Sequence, residues 1–422
     1  MIHIYKILFS ILFVILLPIL FLFPRIRETF FERIYLKRHP TSGRESIWFH
    51  GASAGDILSI RPIIDMYYQR YRDRFDILIT SNTTSGRDIV KRYFPSDIIF
   101  RYMPFDIPIF IRNFLSIYRP RMLFVEAAEF WPVLIHYASK KGVRILLVNG
   151  NIKRERVFVY RLLSILSSNP FKKYDLIIVR NDESMESAIQ LGVDKSRLII
   201  CTNTKYKNVF DMKSAEIPER LRVRFKDIGR LIVFGSIHYE EEDSIIQVIK
   251  ELLSKDIEIR ILVAPRHMER IEPLMKRLKS ETKNIDRGNL IVARFSEDKR
   301  EANIIVLDTI GDLFYIYSFS TVAFVGGSLR DMGGHNILEP AIWGVPTITG
   351  RFVKNYEDIV RILLGFGLIV VEDTNTLSGL LYDIIMDNNK RERLSNSLLE
   401  RLSLIREEFS SVDEILERGF GL

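Results

Sequence analysis

Twice along this chain, short apolar runs alternate with helix-length amphipathic stretches. The first series has runs at 46–50, 76–80, 122–125, 144–148 and 175–179, dominated by Ile, Leu, Val and Phe. A polar stretch at 211–226 interrupts it, and the pattern restarts at 231–234, 257–263, 290–293, 304–307 and 322–325. Apolar runs of this length, separated by helices, are satisfied by parallel strands covered on both faces. The restart calls for a second sheet, so the expected class is α/β with two Rossmann-like domains, at 25–210 and 211–400. A helical segment rich in Leu, Arg and Glu follows at 401–422. A chain of 422 residues that is 47% hydrophobic is long enough for two such cores. In open α/β sheets ligands bind at the carboxyl ends of the strands, which places the expected site in a cleft between the two domains. Dehydrogenases and periplasmic binding proteins obey the same rule, so the architecture leaves function open.

The N-terminus carries an uninterrupted uncharged run from Ile7 to Pro24. Its length matches a bilayer's hydrocarbon core, which makes residues 1–24 a candidate membrane anchor. A cleaved signal peptide is the competing reading, but the run leads straight into Pro24-Arg25-Ile26-Arg27 without a small-residue cleavage site. Lys6 alone precedes the run, whereas Arg25, Arg27, Arg33, Lys37 and Arg38 follow it. That bias predicts an inner-membrane protein with its folded part on the cytoplasmic side. A monotopic insertion bent at Pro18 would serve the same purpose. The single cysteine, Cys201, cannot form an internal disulfide, which agrees with a reducing compartment. The net charge of +8 suits an acidic partner: nucleic acid, a phosphorylated substrate or an anionic leaflet. The segment 151–171 combines Lys153, Arg154, Arg156 and Arg161 with Val157, Phe158, Leu162, Leu163, Ile165 and Leu166. It reads either as a basic amphipathic helix on anionic lipid or as a helix packed on a sheet.

Three constellations carry chemistry. His50-Gly51-Ala52-Ser53-Ala54-Gly55-Asp56 turns from a strand end through small residues and delivers a carboxylate where the next helix begins. Asp56 alone reads equally as a helix-capping carboxylate. Gly235-Ser236-Ile237-His238 offers backbone amides and polar side chains to a phosphate. The acids that follow it, Glu240 to Asp243, read as a solvated first helical turn. Pro265-Arg266-His267 adds a guanidinium suited to phosphate. The third constellation runs from Gly326-Gly327 through Gly333-Gly334-His335-Asn336-Ile337-Leu338-Glu339-Pro340. Its glycine pairs permit a loop that touches ligand, and Asn336 and Glu339 are expected one turn apart on one helix face, where a carboxylate can hold ribose hydroxyls. None of these is a Walker or dinucleotide fingerprint. No D-x-D pair or Cys/His cluster is placed to bind a metal, so no cofactor or metal is expected.

On these segments the chain resembles the 3-deoxy-D-manno-octulosonic acid (Kdo) transferases of lipopolysaccharide synthesis. Tyr102-Met103-Pro104-Phe105-Asp106, Glu129-Phe130-Trp131-Pro132, Asn203-Thr204-Lys205-Tyr206 and Asp308-Thr309-Ile310-Gly311-Asp312 extend the likeness from the anchor to the C-terminal helices. The resemblance implies a GT-B glycosyltransferase that moves Kdo from CMP-Kdo to a lipid A precursor, lipid IVA, with inversion. Its partners would be that lipid, the CMP-sugar and the cytoplasmic leaflet, and not nucleic acid. By the same resemblance Asp56 stands where the family has its general base, and Lys205 where it has a basic group that stabilises charge. Glu129 is carried over from the family's acidic strand-end motif. The CMP-binding segments correspond to Ser236, His238, Pro265, Arg266, Ile310, Gly311, Asp312, Gly333, Gly334, Asn336, Ile337, Leu338 and Glu339.

Two departures stand out. The family usually has glutamate in place of Asp56, and Ala127 replaces the first acid of its E-x-E motif, with Glu126 one residue early. A one-residue shift on a strand points a side chain to the opposite face, so Glu126 cannot be assumed to substitute, and Glu129 is the safer carry-over. Two rival readings follow. One is a membrane-bound nucleotide-sugar binding protein with impaired catalysis; the other is a sugar-nucleotide epimerase of the same build.

Overall fold

The computed structural model describes residues 2–34, 43–167, 169–255, 257–285 and 290–418. The chain divides into two compact units. One comprises Met1–Asn208 with Glu407–Leu422, the other Val209–Arg406.

The first unit is built on a seven-stranded parallel sheet: β1 (Ser46–His50), β2 (Asp76–Ser81), β3 (Ile99–Tyr102), β4 (Pro120–Glu126), β5 (Arg144–Gly150), β6 (Leu176–Val179) and β7 (Leu198–Ile200). The strands are ordered β3-β2-β1-β4-β5-β6-β7. The chain therefore winds outward in one direction from β1 and in the other from β4, and the crevice where the direction reverses lies between those strands. Trp48, Phe49, Leu123 and Phe124 are fully buried, with Phe49 stacked on Phe124 at 4.7 Å. Burial on both faces is why the central runs read as continuous apolar segments.

The second unit repeats the plan with β8 (Leu231–Ile237), β9 (Arg260–Pro265), β10 (Val292–Arg294), β11 (Ile304–Val306), β12 (Val322–Val325), β13 (Thr347–Gly350) and β14 (Leu368–Val371). All pairings are parallel, in the order β10-β11-β9-β8-β12-β13-β14, with the reversal between β8 and β12. The final helix, Asn388–Arg418, is unbroken across residue 401.

The N-terminal run is helical along most of its length. Ile2–Leu20 is a helix containing Pro18, but among the described residues no helix is long and apolar enough to cross a membrane. One side of it is committed to protein. Phe13 packs on Phe105 at 4.9 Å, and the buried Lys6 places its ammonium 4.2 Å from the Tyr137 ring centre. The other side leaves Ile7, Ile11, Val14 and Ile15 exposed. A second helix, Pro24–Arg33, follows after a turn. Lys37 and Arg38 lie outside the described residues, as do the side chains of Arg25 and Leu166. The segment 151–171 forms a short 3-10 turn and the helix Val157–Ser167, which packs beside Ile2–Leu20. Val157 and Tyr160 point inward, while Phe158, Val159, Leu162 and Ile165 face out.

Candidate functional site

In the first unit, polar groups gather where the strands end at the β1/β4 reversal. The turn after β1 needs glycine at 51, since a Cβ there would sit 2.9 Å from the Ile57 backbone nitrogen. Ser53 caps the helix Ala54–Ser59, and Asp56 closes the box: Ser53 N and Ser53 Oγ both donate to Asp56 Oδ2 at 2.8 Å. The capping role foreseen for Asp56 is therefore real. It coexists with a second relation, because the Asp56 carboxylate lies within hydrogen-bond reach of the Glu126 carboxyl at the end of β4.

Strand alternation alone gives no reason to find Glu126 beside Asp56. The face-alternation argument fails because β4 ends at this residue, and Ala127 turns into the left-handed region at φ 57. Alternation does not continue through such a turn, so the motif's register and the strand's register part company. Glu126 is buried and receives Arg180 NH2 at 3.2 Å and Asn149 Nδ2 at 3.5 Å. Burial first, then the charge of Asp56, pushes its carboxyl up to about 8 against the pull of Arg180. Its Oε2 is buried without a donor among the described groups. A carboxyl oxygen in that position beside another carboxylate is satisfied when it carries the proton itself.

A hydrogen-bonded lattice fixes this pair. Asn149 Nδ2 donates to Ser59 Oγ (3.1 Å) and Thr204 Oγ1 (2.9 Å), Thr204 N donates to Asn149 Oδ1 (2.9 Å), and Ser59 Oγ donates to Asn203 Oδ1 (2.9 Å). The 3-10 turn Thr204–Tyr206, which carries Lys205, is thereby tied to the helix that carries Asp56. The Lys205 ammonium lies 4.6 Å from the Tyr206 ring centre. Glu129 sits apart from the lattice in a chain of its own. Its Oε2 accepts Trp131 Nε1 at 2.8 Å and is 3.0 Å from His50 Nε2. His50 Nδ1 meets Thr80 Oγ1 at 2.9 Å, and Thr80 Oγ1 accepts Trp48 Nε1 at 2.8 Å. Burial alone would raise the Glu129 carboxyl, but the His50 and Trp131 donors more than offset it and hold it below the usual range. Glu129 thus accepts from Trp131 and meets His50, and Arg180 and Asn149 are neighbours of Glu126 that the motifs did not flag.

In the second unit the groups gather at the β8/β12 reversal. Gly235 is required because a Cβ would fall 1.7 Å from the Tyr317 hydroxyl, and Ser236 takes φ 56 as β8 bulges away from β9. His238 Nε2 and His335 Nε2 are 3.0 Å apart with their rings parallel. Burial, then Arg266, lowers His335 to about 4, and burial also lowers His238, so near neutral pH the pair is uncharged and one Nε2–H donates to the other. Arg266 is exposed beside them at the end of β9.

Only half of the acidic run after His238 is solvated: Glu240 and Asp243 are exposed, and Glu241 and Glu242 are not. Glu241 is fully buried and accepts the amides of Gly327 (2.6 Å), Ser328 (2.8 Å), Leu329 (2.8 Å) and His238 (3.2 Å). Glu242, also buried, is clasped by Arg270 at 3.0 and 2.8 Å. The amide nest that the first glycine pair offers is thus already filled by the protein's own carboxylate.

The second glycine pair, Gly333 and Gly334, has φ 85 and 76 and packs on Asn355 and Val353. Asn336 precedes the one-turn helix Leu338–Ala341 instead of lying on it. Its Oδ1 accepts Leu338 N at 3.2 Å, and its Nδ2 donates to Glu339 Oε1 at 3.3 Å. Burial pushes Glu339 up to about 7, with Asn336 and Arg266 pulling the other way. The side chains of Ile337 and Leu338 are fully buried, so they can meet a ligand only through backbone. Asp312 is also turned inward and paired: Arg220 NH1 donates at 3.0 Å and Thr309 Oγ1 at 2.6 Å. Ile310, 86% exposed, and Gly311, with φ 92 and open space around it, form the accessible tip of that loop, while Pro265 closes β9 against Ile237.

Comparison with known proteins adds to this geometry. A family profile described as 3-deoxy-D-manno-octulosonic-acid transferase (kdotransferase) matches residues 28–208. A 3-deoxy-D-manno-octulosonic acid transferase of Haemophilus influenzae is 28% identical over 405 residues, covering 94% of this chain and 93% of that protein. Among solved structures, a UDP-GlcNAc 2-epimerase from Neisseria meningitidis aligns with TM-score 0.53 at 12% identity, over 87% of this chain and 100% of that one. A glycosyltransferase from Rickettsia africae aligns with TM-score 0.50 at 14% identity, over 89% and 100%. The two structures speak to the fold alone, which epimerases and transferases share. The sequence likeness discriminates, because it extends over nearly the full length of both proteins.

Proposed function

We propose that the chain is a member of the 3-deoxy-D-manno-octulosonic-acid transferase family, to which it is similar over nearly its full length, and that it transfers Kdo from CMP-Kdo to a lipid A precursor, lipid IVA, with inversion. The observation that carries the mechanism is the Asp56–Glu126 carboxyl pair at the β1/β4 reversal, held by Asn149, Ser59 and Arg180. In this reading Asp56 is the base. An acceptor hydroxyl loses its proton to the Asp56 carboxylate as its oxygen bonds to the anomeric carbon. The bond from that carbon to the CMP phosphate breaks on the opposite face, and CMP leaves with the electron pair. Glu126, carrying a proton, would hydrogen-bond Asp56 without adding a second negative charge. Lys205 would offset developing charge.

The donor belongs with the second unit. Arg266 and the neutral His238–His335 pair suit the phosphate, Glu339 with Asn336 suits the ribose hydroxyls, and the loop tip at Ile310 and Gly311 suits the base. The impaired-binding-protein reading rested on the loss of an acid at Ala127, and Glu126 beside Asp56 supplies a carboxyl in its place.

For the membrane we propose surface attachment in place of a span, at the cytoplasmic leaflet of the inner membrane. What supports it is the outward apolar face shared by Ile2–Leu20 and Val157–Ser167, with the exposed cations Lys153, Arg154 and Arg156 at its border. The test is mass spectrometry of products from the purified protein, CMP-Kdo and tetra-acylated lipid A precursor. Added Kdo is expected only when acceptor is present. Conversion of the donor sugar without acceptor, or no turnover at all, would refute the reading.

A further inference from the structure

Beneath the N-terminal helix the first unit encloses a cavity of about 370 Å³. That is within the ~300–1,000 Å³ typical of small-ligand pockets. Its walls are mostly apolar: Leu12, Phe13 and Leu16 come from the helix, and Phe105 and Trp131 from the body. Its polar lining groups are Arg33, Asn82 and Asp106. Arg33 donates from Nε to Met103 O at 2.9 Å and from NH2 to Asn82 Oδ1 at 2.5 Å, with its guanidinium over the Phe105 ring at 4.9 Å, so that Arg33 and Asn82 together make a polar end. The Asp106 carboxylate is buried and already accepts Val133 N at 3.0 Å and Leu134 N at 2.7 Å. A mostly apolar slot with a few polar groups matches a hydrocarbon chain joined to a polar head.

The polar end leads directly to the catalytic turn. Asn82 N donates to Ala52 O at 3.0 Å, and Ser81 Oγ to the same oxygen at 2.9 Å, so the cavity wall is bonded to the segment that presents Asp56. On the other side, Trp131 lines the cavity and donates to Glu129. The Ile2–Leu20 helix leaves its far side apolar and exposed, so a chain could enter from lipid without crossing water.

We propose that this cavity receives one fatty acyl chain of the lipid acceptor and so sets the distance between the acceptor's sugar hydroxyl and Asp56. The proposal rests on the lipid-acceptor reading above and deepens it, since the cavity would make acyl-chain presence a condition for efficient transfer.

The test uses the full-length protein in detergent with two acceptors, a tetra-acylated phosphorylated glucosamine disaccharide and its fully deacylated form. Leu16→Trp places a large ring in the cavity. KM for the acylated acceptor should rise about tenfold with kcat little changed, while kcat/KM on the deacylated acceptor stays at the wild-type value. An unchanged KM in a Leu16→Trp protein with wild-type circular dichroism would overturn the proposal. Binding is read separately from transfer with an N-acylglucosamine bearing a brominated chain, below its micelle concentration. This probe should quench tryptophan emission in the wild type and lose most of that quenching in Trp131→Phe. Equal quenching in both overturns the pocket, whatever the transfer assay gives. Quenching at Trp131 without Kdo transfer to either acceptor would refute the transferase reading and uphold the pocket.

Discussion

The Glu126 carboxyl should make the first unit less stable as pH rises, and Glu126→Gln should remove that dependence. Its folded value of about 8 lies above the ordinary 4.5. Across that window the folded chain holds a proton that the unfolded chain has released, so unfolding free energy declines with pH. The contribution is whole below about pH 4.5 and lost once pH passes about 8. Each pH unit in the window is worth about 1.4 kcal/mol, which sets a ceiling of ~5 kcal/mol. Part of the shift is the charge of Asp56, and two carboxyls in contact titrate as a pair, so we expect about half of the ceiling, ~2 to 3 kcal/mol. Glutamine keeps the size and neutrality of the protonated acid. The stability gap between Glu126→Gln and wild type should therefore widen by ~2 kcal/mol, in the variant's favour, between about pH 5.5 and about pH 8.5. Titrating groups remote from the pair cancel in that difference.

Trp48 and Trp131 report on the first unit and Trp343 belongs to the second, so urea unfolding is followed by tryptophan emission in a Trp343→Phe background. A gap of the same size at both pH values would show that Glu126 ionises in the folded protein as it does in the unfolded chain, and the shared-proton account of the pair would fall.

Asp56→Asn keeps size and hydrogen bonding but removes the basic lone pair. It should lower kcat by ~10²-fold or more with CMP affinity unchanged, and near wild-type turnover where chemistry limits the rate would move the base elsewhere. Glu241→Ala strands three amides of the 327–329 loop and should destabilise the second unit by at least ~3 kcal/mol, read from Trp343 emission in urea; a loss below 1 kcal/mol would contradict the anchoring role. Because Glu339 sits near 7 and ribose hydroxyls donate best to an ionised carboxylate, CMP affinity should rise as pH increases through about 7, and calorimetry on Glu339→Gln should show weaker binding with that slope gone. Ile11→Asp combined with Phe158→Asp should reduce co-sedimentation with anionic vesicles by ~10-fold or more, and unchanged binding would exclude this face from lipid contact.

Much of the fold could be read from residues because both central sheets are buried on two faces. Runs such as 46–50 and 322–325 correspond to β1 and β12 residue for residue. The strands that escaped detection carry less of that signal. β3 and β14 are edge strands, half-buried along much of their length, and β7 is an edge strand of three residues. β13 is central but reads as polar through Thr347 and Thr349, whose hydroxyls donate to Val345 O and Val325 O inside the protein. The N-terminal run is ambiguous for a different reason. Hydropathy registers only that residues 7–24 avoid water, and both lipid and the protein's own surface satisfy that requirement. Phe13 and Lys6 are satisfied by protein.

The candidate site divides along a related line. Residues whose position follows from type and place in the chain could be located in advance: Asp56 at a helix start, Arg266 after a strand, Glu339 in contact with Asn336. Glu126 and Glu241 could not, because their roles depend on one backbone torsion and one long-range closure. A left-handed Ala127 ends the strand at Glu126, and a loop 86 residues further along the chain folds its amides onto Glu241. The two acids then end in opposite circumstances. Glu241 accepts four amides, whereas Glu126 has one cation, one amide, the Ser59 hydroxyl and another carboxylate for neighbours, and burial favours its protonated form. What separates the two acids is the neighbouring charge: Glu241 meets backbone amides, and Glu126 lies beside the Asp56 carboxylate, which opposes its ionisation.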